Sequence, residues 1–191
     1  MSSALLVMDV QNGIVDRVGE HSASLLTTLA RTVGAARTGG VPVIYVRVAF
    51  RQGAPEISAR NKSFATARSS ALNELDPATS VHPAVDPQPG DIVVTKRRVS
   101  AFAGSDLDVV LRSLEADSLV LTGFATSGVV LSTVRQAADL DFRLTVLSDG
   151  CADGDPEVHR VLMEKVFPKQ ASVMTAAEWI EGIARGEPEP G

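Results

Sequence analysis

Ala4-Leu-Leu-Val-Met-Asp-Val10 runs directly into Gln11-Asn12-Gly13. Its first five residues are apolar, with none of the in-out alternation of a half-exposed strand. The stretch therefore reads as a strand covered on both faces, which is the usual position of a strand inside a parallel sheet. Asp9 interrupts the run. A carboxylate leaving a central strand is costly unless it is paired or protonated. It either serves chemistry or caps the turn that Gln11-Asn12-Gly13 begins.

Working outward, strand-length apolar runs alternate with helical spacing. Leu25, Leu26, Leu29 and Val33 recur as one helix face, and Gly39-Gly40 ends that helix. Pro42–Val48 is a second buried strand. Asp91–Thr95 predicts a third strand, and Asp106–Leu114 a helix with Leu107, Val110, Leu111 and Leu114 inward. Ser118–Thr122 is a fourth strand. A long helix follows, with Val129, Val130, Thr133, Val134, Ala137 and Ala138 on its inner face. Phe142–Leu147 is a fifth strand. Asp155-Pro156 supplies an N-cap and a first-turn proline to the helix carrying Val158, Val161, Leu162 and Val166. Ala171–Met174 and Ala176–Ala184 close the pattern as a short strand and a helix. Such alternation predicts an α/β fold, three-layer α/β/α with a mostly parallel, Rossmann-like central sheet. Ligands in such sheets bind beyond the carboxyl ends of the strands.

The alternation lapses between residues 49 and 90, a stretch rich in Ala, Ser, Pro and charge. A long irregular segment inside a compact domain is usually functional. It is expected to form a lid or an oligomer contact with a short helical turn. One domain over 1–186 is expected, with 187–191 as a disordered tail.

The chain's 191 residues suit one domain, and 45% apolar with 21% charged residues is ordinary globular usage. A net charge of −5 gives no basic face for nucleic acid. The Ala4–Met8 run is too short for a signal peptide or a membrane span, so a cytoplasmic protein with no membrane partner is expected. The single cysteine, Cys151, cannot form a disulfide within one chain. It reads as a small buried residue at a strand end.

Three strand ends carry polar groups. Asp9 follows the first strand. Lys96 follows the third and either meets Asp9 over the sheet edge or belongs to a solvated basic cluster with Arg97 and Arg98. Thr122-Gly-Phe-Ala-Thr-Ser-Gly128 follows the fourth. There Thr126 or Ser127 is expected to cap a helix whose N-terminal amides either bind an anion or are simply capped. His21 and His159 read as surface residues and His82 as a lid residue. No histidine has metal-ligand spacing to another ligand, and no phosphate loop or dinucleotide fingerprint is present. No metal and no cofactor are expected.

Taken together, Leu6-Val-Met-Asp-Val-Gln-Asn12, Val94-Thr-Lys96 with Ser100-Ala-Phe102 and Leu107, and Thr122-Gly123 with Thr126 and Val130–Thr133 resemble the isochorismatase-like, or cysteine hydrolase, superfamily. Leu147-Ser-Asp-Gly-Cys-Ala152 fits the same pattern, and the likeness covers nearly the whole chain. It implies that Asp9 and Lys96 are catalytic. The family's cysteine nucleophile stands at the position of Val129 here, and valine has no lone pair with which to attack. The pocket candidates are Gln11, Phe50, Phe102, Phe124, Ala125 and Thr126. True isochorismatases, which also lack the cysteine, are a precedent for a hydrolase of a small molecule with Asp9 as general acid. A pseudoenzyme that only binds its ligand, and an amidohydrolase with a replaced nucleophile at Thr126 or Ser127, are the alternatives. The family habit also implies a homodimer or homotetramer.

Overall fold

The computed structural model describes residues 2–16, 19, 22–65 and 72–186. The expectations for His21, for the disordered tail 187–191 and for part of the segment 49–90 lie outside the described residues.

Six strands form one sheet in the order β3-β2-β1-β4-β5-β6. They are β1 (Ser3–Met8), β2 (Val43–Val48), β3 (Ile92–Lys96), β4 (Ser118–Phe124), β5 (Arg143–Ala152) and β6 (Ser172–Met174). All five neighbouring pairs are parallel. β1 therefore sits in the middle. The chain builds outward from it in one direction through β2 and β3, then returns to its other side for β4. Beyond the carboxyl ends of β1 and β4 the topology leaves the crevice in which such sheets bind ligands.

The unbroken apolar run of β1 follows from this central position. Ala4, Leu6 and Met8 face a cluster containing Leu107 and Leu111 of α3 (Leu107–Ser113) and Val134 and Ala137 of α4 (Leu131–Asp139). Leu5 and Val7 face the other layer. There they meet Leu25, Leu29 and Val33 of α2 (Ser22–Thr38), which follows the single turn α1 (Asn12–Val15), and Trp179 of α6 (Ala176–Arg185). Successive side chains of a strand point to opposite faces, so both halves of the run are buried. Each such leucine contributes roughly 1.5–3 kcal/mol by leaving water.

The sheet and its helical layers agree with the sequence pattern, while some element ends differ. β1 stops at Met8, because Asp9 turns out of the strand with φ 55°. β3 extends one residue further than expected and takes in Lys96. β5 runs five residues past Leu147. Its register jumps, so that Val146 lies beside Leu121 but Cys151 lies beside Gly123. The intervening Ser148-Asp149-Gly150 has the composition of a turn; here it forms a bulge within the strand.

Two short 3₁₀ turns, Pro77–Thr79 and Pro83–Val85, interrupt the segment 49–90, capped by the side chains of Asp76 and His82. A third apolar cluster gathers Phe50, Ala54 and Ile57 under Phe64 and Leu72. The segment thus has a small core of its own, drawn from residues too widely spaced to show any period.

Candidate active site

β1 delivers Asp9 and β3 delivers Lys96 to the same end of the sheet, with β2 between them. The extended lysine side chain crosses that strand, and its Nζ lies 2.9 Å from Asp9 Oδ2. Nζ also donates to the Arg98 carbonyl at 2.9 Å. The ion pair is secluded: Asp9 is 7% exposed and Lys96 1%. Asp9 Oδ1 is buried without a hydrogen-bond partner among the described residues. Burial raises the Asp9 carboxyl above its ordinary range, and the neighbouring ammonium offsets this only in part. The result is a carboxyl group held firmly by Oδ2, with Oδ1 buried and without a hydrogen bond among the described residues.

β4 ends alongside Asp9. Gly123 has φ 133°, and a Cβ there would stand 2.0 Å from the Met8 carbonyl oxygen. Only glycine permits so close an approach. The Phe124–Ala125 peptide is cis, and Thr126–Val130 then winds as one wide turn into α4, with Gly128 outside helical geometry. Neither hydroxyl residue caps this helix in the expected way. The Thr126 hydroxyl pairs with His159 Nδ1 at 2.8 Å, and the Ser127 amide donates to Asp153 Oδ2 at 2.7 Å. The carboxylate at this helix start comes from the β5–α5 connection, where α5 spans Pro156–Val161.

The other pocket candidates are spread around this frame. The Gln11 amide donates to the carbonyls of Val48 and Thr79 and accepts from the Val48 amide, so it ties β1 to β2 and to the Pro77–Thr79 turn. Phe50 is 1% exposed and packs edge-on against Phe64. Phe102 stacks near Phe142 with ring centroids 6.1 Å apart. Phe124 is 7% exposed, and Ala125 is half-buried. Thr126 is wholly buried, and Val129, at 2%, lies in the apolar cluster that also contains Met8 and Phe102.

Arg97 and Arg98 are not a solvated basic cluster. Arg97 pairs with Glu74 at 2.8 Å and also donates to the Ala49 carbonyl, while Arg98 donates to the Glu56 carbonyl at 2.8 Å. The residues that follow Lys96 thereby tie Ala49, Glu56 and Glu74 to the end of β3. His82 caps a turn, and His159 is half-buried against Thr126, so it is not the surface residue its helical setting suggested. Cys151 lies inside, its thiol pushed up to about 12 by burial. Among the described residues no group of three or more histidine, cysteine or acidic side chains is arranged to hold a metal. No helix among them is long and apolar enough to cross a membrane.

A cleft of about 480 Å³ opens beside this frame, lined in part by Ser24, Thr28, Asp149, Cys151, Asp153 and His159. Asp9 and Lys96 do not line it. His159 and Asp153 are the residues that sequence reasoning missed. Neither carries a local signal, because each acquires its partner only through the β5–α5 connection.

The isochorismatase domain model matches residues 3–178. The chain is 36% identical to a ureidoacrylate amidohydrolase of Variovorax paradoxus, an alignment covering 95% of this chain and 81% of that one. It is 32% identical to an isochorismatase family protein of Bacillus subtilis, over 95% and 94% of the two chains. Among solved structures, a cysteine hydrolase from Pseudomonas syringae pv. phaseolicola superposes with a TM-score of 0.88 at 26% identity, covering 96% of this chain and 92% of that one. The match of the family model over residues 3–178, together with relatives above 30% identity over nearly the full length, identifies the chain as a member of the isochorismatase family of hydrolases.

Proposed function

We propose that this protein hydrolyses a small molecule without forming a covalent enzyme intermediate, with Asp9 as general acid and base and Lys96 as its partner. The observation that carries this reading is the buried Asp9–Lys96 pair with Asp9 Oδ1 unpartnered. A raised carboxyl is suited to hold a proton and release it during turnover. Lys96 fixes Oδ2, so proton traffic runs through Oδ1. With an amide or ureide, Asp9 takes a proton from the attacking water and returns it to the leaving nitrogen. With a vinyl ether, Asp9 protonates the terminal alkene carbon, water adds to the resulting oxocarbenium carbon and gives a proton back to Asp9, and the hemiketal then breaks its ether C–O bond to release an alcohol and a ketone. Val129 stands where family members carry the cysteine, and its side chain takes no part in bond making. The segment 49–90 closes over this end of the sheet as a lid, and the protein works as a homodimer or homotetramer.

Val129 also favours a second reading, a ligand-binding protein that has lost turnover. The test is a turnover panel of isochorismate, nicotinamide, ureidoacrylate and simple amides, run with the native protein and with Asp9→Asn and Val129→Cys. Turnover by the native protein that disappears in Asp9→Asn supports the first reading. An inert native protein with amidase activity only in Val129→Cys overturns it in favour of the second.

A further inference from the structure

The turn from Thr126 to Val130 is held at two points by one neighbouring connection. Thr126, with no exposed surface, engages His159 Nδ1 through its hydroxyl at 2.8 Å, and the next amide, that of Ser127, donates to Asp153 Oδ2 at 2.7 Å. Gly123 fixes the other end of the same stretch against the backbone of Met8, next to Asp9. Val129 follows Ser127 by two residues, so these anchors set where the turn starts on its way to that position. We propose that His159 is a positioning residue for the active site: through Thr126 it sets where the Thr126–Val130 turn stands relative to Asp9 and Lys96.

Three features distinguish this arrangement from a simple packing contact. The bond joins two polar groups, one of them wholly buried, so its loss leaves the Thr126 hydroxyl without a partner in a dry setting. Its two ends lie 33 residues apart, linking α5 to the start of α4. Thr126 also opens the same wide turn that carries Val129, three residues further on. Asp153 serves the clamp twice, as the acceptor for Ser127 and as the carboxylate beside the His159 ring. The proposal rests on the reading above that Val129 and Asp9 border one site.

A thiol at position 129, 2% exposed, reports through its alkylation by a small reagent how firmly the turn is held, without any knowledge of the substrate. The experiment uses the full chain carrying Val129→Cys and Cys151→Ser, alkylated with iodoacetamide at neutral pH and followed by intact mass, with thermal unfolding measured in parallel. Into it go His159→Leu, Thr126→Val, their combination, His159→Asn and, separately, Asp9→Asn. An asparagine amide reaches the place of Nδ1 and either donates or accepts. His159→Leu and Thr126→Val are each expected to change the alkylation rate about tenfold, since small displacements at a reacting centre have effects of this size or larger. The combination should do no more than either alone, and His159→Asn should return the rate to within about threefold of the parent. If Asp9→Asn alters the rate and His159→Leu does not, or if the two clamp substitutions add, the positioning role is wrong. If Asp9→Asn leaves the rate unchanged, position 129 does not border Asp9, and the reading of the site fails together with the inference built on it.

Discussion

Replacing Lys96 by methionine isolates the energetics of the buried pair. At 2.9 Å the two charges attract by about 6 kcal/mol if the effective dielectric is about 20. Removing the ammonium also removes its desolvation cost, so the net loss is smaller, about 3–5 kcal/mol for one partner of a buried pair. The remaining carboxylate responds by binding a proton. Its pKa is already raised by burial and rises further without Lys96. Between the unfolded value near 3.9 and this higher folded value, the native state holds a proton that the unfolded chain has released. Stability of Lys96→Met therefore falls as pH increases through that window, by at most about 1.4 kcal/mol per pH unit, and levels off above the folded pKa. Urea unfolding from about pH 5 to pH 8 should show a deficit against the native protein that is largest at the alkaline end and shrinks toward the acid end. Adding Asp9→Leu should recover most of it, because the lone buried charge is then gone. A deficit below about 1 kcal/mol and flat across pH would mean that water reaches the pair, and the argument from burial would fail.

Three further outcomes follow from the same geometry. Gly123→Ala places a methyl group 2.0 Å from the Met8 carbonyl at a backbone angle alanine avoids, and should cost about 4 kcal/mol or more in chemical denaturation; near-neutral stability would refute the close approach of β4 to β1. Gln11→Leu removes three hydrogen bonds to buried backbone groups, and should cost about 3 kcal/mol and accelerate limited proteolysis within residues 49–90. Unchanged proteolysis would show that Gln11 does not fasten that segment. Cys151, buried with its thiol pushed up to about 12, should resist Ellman's reagent in the native protein and react with one equivalent in urea. Rapid native labelling would mean that the end of β5 opens readily.

The fold was legible because its signals are local and repeated. The unbroken run Leu5–Met8, the helical spacing of Leu25, Leu29 and Val33, and the Asp155-Pro156 cap each declare an element without help from the rest of the chain. The meeting of Asp9 and Lys96 was legible as one of two readings, because parallel strands bring their carboxyl ends to one edge. What local pattern could not reveal was pairing across the fold. Arg97 and Arg98 have the composition of an exposed cluster until Ala49, Glu56 and Glu74 come to meet them. Ser148-Asp149-Gly150 has turn residues but lies inside a strand, because β4 beside it continues. His159 looks like a helix-surface residue until the wide turn at Thr126 packs against it.

The Asp9–Lys96 pair bears on function because it is a poor device for stability. Burying two charges costs several kcal/mol per ion before their attraction is counted, and well-packed apolar residues in such places are often as stable or more so. The pair is surrounded by means of that kind: Met8, Val46 and Val94 pack within the same strands, and Val129 adds a further apolar side chain to their cluster. A chain selected only to hold its sheet together would gain by extending that cluster over the ends of β1 and β3. Instead it carries a lysine across β2, satisfies the ammonium with Asp9 and the Arg98 carbonyl, and leaves the second carboxylate oxygen without a partner. A buried oxygen without a hydrogen bond costs stability, so a chain kept only for folding has no reason to retain it. Under the non-covalent hydrolysis proposed above, the Val129 side chain offers no atom for covalent attack, and Asp9 is the group left to move the proton.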